Sequence, residues 1–168
     1  WKTGLVGHSD SNGAEDSGKL KVTYYGNYFY NTNSRNPRVR FGQVHVLNNL
    51  EEQVKLYGIA AANGAQVYAE NNFFLNTDWP MYADRSSSDF KAVYGNNSDG
   101  VYTSKTGNYP CTGLKQTGNE YDDRDLPVIT AQLNTNRLNP GNRSVKFDEL
   151  HPESVFNPSD YYSYSAFP

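Results

Sequence analysis

Val22-Thr23-Tyr24-Tyr25-Gly26-Asn27 and Val44-His45-Val46-Leu47-Asn48-Asn49 follow one plan: an apolar residue opens an alternating stretch that closes five positions later on Asn. Val67-Tyr68-Ala69-Glu70-Asn71-Asn72 and Ala92-Val93-Tyr94-Gly95-Asn96-Asn97 repeat it, and a weaker fifth copy runs from Leu114 to Asn119. The closing Asn residues stand 22 to 25 positions apart. Each copy alternates as a short strand does and ends in a turn former. Apolar or aromatic residues resume directly after three copies, at Tyr28-Phe29, Leu50 and Phe73-Phe74. A near-constant advance of this size, built of strands and turns, is one coil of a parallel β-helix. Asn suits the corner of a coil: it tolerates a left-handed backbone, and stacked amides can hydrogen-bond from coil to coil. An ordinary β-sandwich is the competing fold, but it gives no reason for copies in register.

The repeat also assigns faces. Val22 and Tyr24, Val44 and Val46, Val67 and Ala69, and Ala92 and Tyr94 are expected to point into the coil, with Thr23, His45, Tyr68 and Val93 outward. The 168 residues suit one domain over 1–168. Beyond about residue 120 the repeat fades into a polar stretch from Asn134 to Ser144, then a Tyr- and Ser-rich tail punctuated by Pro152, Pro158 and Pro168. That tail is expected to lie extended along the outside of the coils. Ala, Leu and Glu are too sparse for a helix bundle. No run of 18 apolar residues exists, so no membrane span is expected. Cys111 is the one cysteine, which excludes an intramolecular disulfide and a Cys-based zinc site. The chain opens at Trp1 without Met or a signal-peptide pattern, and is expected to be a mature product or a piece of something longer.

Charge is unevenly spread. Lys2, Lys19, Lys21, Arg35, Arg38 and Arg40 outnumber Asp10, Glu15 and Asp16 in residues 1–45, although the whole chain carries -3. Early basic charge suits an anionic ligand. An acidic pI and the lack of a long basic tract argue against nucleic acid. The densest cluster is Ser34-Arg35-Asn36-Pro37-Arg38-Val39-Arg40-Phe41. Three Arg around one Pro repel each other, and such a group usually meets an anion. Val39 and Phe41 share one face of a strand and Arg38 and Arg40 the other. Pro37 favours an extended Asn36 and interrupts the ladder, which is expected to give Arg35 a direction of its own. A solvated basic edge strand is the plain alternative.

The R-x-P-x-x-R block from Arg35 to Arg40, followed by Phe41-Gly42-Gln43-Val44-His45-Val46-Leu47-Asn48-Asn49, resembles the signature of the pectate lyase and pectin lyase family. Lys2 to Asp10, Gly18 to Asn27, Gly64 to Asn72 and Pro152 to Phe156 are similar to further segments of that family. The resemblance implies a right-handed parallel β-helix and β-elimination on polygalacturonate or pectin outside the cell. A base takes the proton at C5 of a galacturonate and the oxygen at C4 leaves. Neutralising the adjacent carboxylate with Ca2+ and guanidinium groups would spread the developing charge. By matched position, Arg35 takes the place of the catalytic base, while Lys2, Arg40 and Arg38 are expected to bind substrate. An Arg base conflicts with the persistence of the guanidinium charge. Neighbouring like charges favour its neutral form, and purely electrostatic stabilisation is the alternative.

The family's calcium-binding aspartates fall upstream of the segment matched by Lys2, so the earlier coils and those ligands are expected to be missing here. Asp10, Glu15 and Asp16 match no calcium loop, and no metal ligand is assigned. His45 is expected to be a hydrogen-bonded structural residue rather than a sugar contact, and Trp79-Pro80-Met81-Tyr82 a packed loop rather than a stacking platform. Asn96 and Asn142 open glycan sequons. A catalytically silent β-helix that binds acidic polysaccharide, and a pectin lyase acting without calcium, remain the competing functions. A first coil with none above it would expose Leu5 and Val6, so self-association through that end is expected.

Overall fold

A computed structural model describes residues 1–84, 101–104, 107–110, 112–123 and 146–166. Three parallel sheets surround one interior. The first stacks β1 (Leu5–Val6), β4 (Arg38–Arg40), β7 (Ile59–Ala62) and β10 (Met81–Ala83) in that order. The second stacks β2 (Lys21–Tyr25), β5 (Gln43–Leu47), β8 (Gln66–Glu70) and β13 (Gly113–Thr117). The third stacks β3 (Tyr28–Tyr30), β6 (Leu50–Glu52), β9 (Phe73–Leu75) and β14 (Glu120–Asp122). Consecutive strands of the stack enter different sheets, and paired residues lie 22 or 23 positions apart from β2 to β5 to β8 and from β3 to β6 to β9, as a parallel β-helix requires, with 47 positions before β13 and β14. A four-residue helix, α1 (Gly13–Asp16), and an antiparallel pair, β11 (Val101–Ser104) with β12 (Gly107–Pro110), stand outside the three sheets.

Register follows the repeat. Val22 pairs with Val44, Val44 with Val67 and Val67 with Leu114. Val44, Val46, Val67, Ala69 and Leu114 are buried in a common core with Val39, Ile59, Ala61, Phe74 and Met81. The fourth copy, residues 92–97, lies outside the described residues. β13 pairs directly with β8.

The corner of each coil divides two jobs that the repeat assigned to one Asn. Gly26, Asn48, Asn71 and Gly118 carry the left-handed backbone, and the following Asn27, Asn49, Asn72 and Asn119 make the ladder. Asn27 Nδ2 donates to Asn49 Oδ1 at 2.9 Å, Asn49 Nδ2 to Asn72 Oδ1 at 2.8 Å, and Asn72 Nδ2 to Asn119 Oδ1 at 2.9 Å. The backbone N–H of each donor residue reaches the same oxygen. Buried corner groups are thereby paired instead of orphaned, at a saving of about 1–3 kcal/mol per group.

The tail lies against the outward face of the second sheet. Leu150 pairs antiparallel with Leu114, Tyr162 Oη lies 3.0 Å from Thr23 Oγ1, and Tyr164 Oη donates to Glu70 Oε2 at 2.9 Å. His45 therefore faces outward but is buried. Among the described residues, no helix is long and apolar enough to cross a membrane.

Candidate functional site

The first sheet gathers the four candidate cations. Lys2 bridges to Ser34, the residue before Arg35, while Arg38 and Arg40 form the ends of β4 around buried Val39. Phe41 is buried too, in a left-handed turn (φ 56) that closes the strand. The direction of Arg35 comes from its own backbone, which is left-handed at φ 71. For a side chain with a Cβ, that conformation costs roughly 1–3 kcal/mol and needs outside support. The first strand segment supplies it: Gly4 N donates to Arg35 O at 2.7 Å, and Thr3 Oγ1 donates to the same oxygen at 2.8 Å.

The three Arg side chains differ in their partners. Arg38 Nη2 meets Asp84 Oδ2 at 2.6 Å, crossing the small Ala60 rung of β7 beside Tyr57 and Tyr82. Burial works to lower the pKa of Arg38, but Tyr57 and Asp84 outweigh it and raise it. Arg40 binds Asp10 through Nε and donates from Nη1 to Gly7 O at 3.1 Å. Gly7 permits this approach: with φ +76, a Cβ there would fall 2.4 Å from Arg40 O. Arg35 has no carboxylate partner among the described residues, and its Nε is buried without a hydrogen bond. Lys2 is exposed.

Other candidates are placed elsewhere. His45 belongs to the second sheet, not the first, and its ring stacks on Tyr68 at 5.4 Å while Nδ1 lies 2.6 Å from Tyr162 Oη. Trp79 and Tyr82 are buried together with Tyr57 and Ala60, as a packed loop requires. Glu15 accepts from Asn12 at 3.0 Å beside α1. Cys111 and both sequons lie outside the described residues. Among the described residues, no group of three or more His, Cys, Asp or Glu could hold a metal ion. The two carboxylates within the cationic cluster are already bound to Arg, so the residues described do not fit a calcium site.

The sequence reading passed over Asp84 and Glu51. Asp84 stands 46 positions after Arg38, two coils on, so doubling the repeat length would have found it. Glu51 is a carboxylate at an inward strand position, a break in alternation that is itself a signal.

A family model described as pectate lyase matches residues 1–165. The chain is 47% identical to Pectate lyase B of Colletotrichum gloeosporioides over 94 residues, covering 55% of this chain and 28% of that protein. It is 50% identical to Pectate lyase A of Emericella nidulans over 100 residues, covering 60% of this chain and 29% of that protein. It is 37% identical over 142 residues to Probable pectate lyase B of Aspergillus flavus, covering 79% of this chain and 43% of that protein. The chain thus spans less than half the length of these curated relatives. With the stacked coils, the Asn ladder and the Arg block on the first sheet, these matches show that the chain belongs to the pectate lyase family.

Proposed function

We propose that the chain, as a single domain over 1–168, cleaves polygalacturonate by β-elimination outside the cell, with Arg35 as the base. The observation that carries this is the contrast within the Arg block: Arg38 and Arg40 each hold a carboxylate, whereas Arg35 has none among the described residues. Arg35 is thus the member of the cluster whose guanidine no carboxylate of the described residues engages. Neutral Arg35 takes the C5 proton, the C5–H electrons become the C4–C5 double bond, and the bond from C4 to the glycosidic oxygen breaks. Water supplies the proton that the leaving oxygen needs. Lys2 and Arg40 bind galacturonate carboxylates and stabilise charge on the substrate. Arg38 borders the same surface and adds its field. Calcium is an expectation of the family; its oxygen donors would have to include residues beyond those described, and no step above passes through it. Exposed apolar groups at the β1–β2 end support self-association.

The test is incubation with polygalacturonate, with and without Ca2+, followed by ultraviolet absorbance of the unsaturated product. Arg35→Lys should remove nearly all turnover with an unchanged circular dichroism spectrum, since Lys keeps the charge but loses the planar fork and its reach. Turnover within a few-fold of the parent would sink the assignment. Polymer binding without any absorbance gain would favour the silent binding protein.

A further inference from the structure

Glu51 is a carboxyl inside the apolar stack. It lies in register between Phe29 and Phe74 of the neighbouring coils and is fully buried. Its Oε2 accepts from Asn36 Nδ2 at 3.1 Å, and its Oε1 has no partner. Gly58 keeps the space open: a Cβ there would fall 2.2 Å from Glu51 Oε2 and 2.7 Å from Pro80 O.

Asn36, also fully buried, follows Arg35 directly and connects the two. Its Nδ2 donates to Thr32 Oγ1 at 2.8 Å, its backbone N–H to Gly58 O at 2.9 Å, and its Oδ1 is reached by Thr3 Oγ1. The same Thr3 hydroxyl reaches Arg35 O at 2.8 Å. Asn36 thus joins Glu51 to the left-handed Arg35 turn directly through the backbone, and Thr3 braces the same turn with one hydroxyl proton shared between Arg35 O and Asn36 Oδ1. Leu or Met would fill this core position at no polar cost, so the carboxyl calls for a reason. We propose that Glu51 is a positioning residue for Arg35, acting from the core through Asn36 on the turn that aims the guanidinium. The inference rests on the reading of Arg35 as the catalytic group.

The groups packed around the carboxyl are Asn36, Gly58, Pro80, Phe29 and Phe74, with Thr77 bonded to the Glu51 backbone oxygen at 3.1 Å. None is charged. Burial pushes the carboxyl well above the usual range, against a smaller opposing effect of Asn36. A raised value in the folded state means that Glu51 supports the fold at acid pH and withdraws that support as pH climbs from about 4.5 through its own value.

The test compares Glu51→Leu, Glu51→Gln and Gly58→Ala with the parent. Two quantities are read: kcat and KM on polygalacturonate, and exchange of the buried Arg35 Nε–H in nuclear magnetic resonance, assigned by its loss in Arg35→Lys. Glu51→Leu should lower kcat about 100-fold at unchanged KM, as an ångström-scale misplacement does, and should speed the exchange. Glu51→Gln, which can still accept from Asn36, should recover both and abolish the decline in stability as pH rises from about 4.5. Gly58→Ala, which pushes the carboxyl off Asn36, should reproduce Glu51→Leu. Parent kcat and exchange in Glu51→Leu would overturn the proposal, as would a change confined to KM or a Gln variant no better than Leu. If Glu51→Leu does not fold, the Gln and Gly58→Ala variants decide by the same readings. A parent that makes no unsaturated product, with the exchange pattern as expected, would overturn the lyase reading and support the positioning role.

Discussion

Arg40 already holds a carboxylate, so under its proposed binding role a galacturonate would compete with Asp10 for the same guanidinium. Asp10 is bonded to Arg40 Nε, yet its side chain is 68% exposed while that of Arg40 is 12% exposed. Because the Asp10 carboxylate is itself largely solvated, an incoming uronate would exchange one carboxylate for another on the same guanidinium. Asp10→Asn should therefore tighten binding of polygalacturonate a few-fold at low salt, and raised salt should erase the gain. Titration calorimetry at two ionic strengths reads this. Weaker binding by the Asn variant would show that Asp10 aims Arg40 at the substrate instead of competing for it. At this scale the local was legible and the distant was not. The Arg block announces itself because its charges are adjacent in the chain. Its counter-ions come from a loop 30 residues earlier and a strand end 46 residues later, and only stacking brings them close.

Among the elements, one imidazole meets the tail at two tyrosines. His45 Nδ1 lies 2.6 Å from Tyr162 Oη, Nε2 lies 3.2 Å from Glu70 Oε2, and the Tyr164 ring meets the imidazole edge-on at 4.8 Å. Burial lowers the pKa of His45 below its ordinary 6.5, with Glu70 opposing the shift. A lowered value in the folded state binds fewer protons than the unfolded chain does. The contribution to stability is thus complete above pH 6.5 and is lost as pH falls from there through the folded value. Amide exchange in residues 150–164 should accelerate over that acid range, and His45→Gln should remove the dependence on pH. Tyr162→Phe should loosen the tail at every pH by about 1 kcal/mol, the worth of one hydrogen bond. An exchange rate flat with pH in the parent would show that His45 does not control the tail. The strands themselves were legible because each coil repeats one hydrogen-bonded corner, so Asn27, Asn49 and Asn72 recur in phase. The copy that closes at Asn97 lies outside the described residues. β13 pairs directly with β8 although Gly113 stands 47 positions after Gln66, and spacing alone does not distinguish that from the advance of two coils. Nothing local announces that Tyr162 covers His45, since 117 residues separate them.

At the scale of the whole molecule, the stack has one layer unlike the rest. Val22 is 37% exposed, whereas Val44 and Val67, its partners in the same column, are fully buried. Leu5 is 41% exposed and Trp1 96%, and among the described residues β1, β2 and β3 each have a neighbouring strand on one side only. This face combines apolar side chains with three open parallel edges, a template for further pairing. The self-association proposed above would bury the Val22 column as the deeper coils bury theirs. A second copy in a closed symmetric arrangement, or a separate chain presenting matching coils, would satisfy it. The mean mass by light scattering should therefore rise with concentration in the micromolar range. Val22→Lys places a charge on the open edge, the device by which natural sheets avoid pairing. It should return the chain to a monomer, and the Asn ladder, whose bonds Val22 does not touch, should keep its protection from amide exchange. A parent that stays monomeric at every concentration, alone in solution, would show that this face needs no partner. In that case the layer is stabilised from within by Tyr24, which packs against the core beside the exposed Val22.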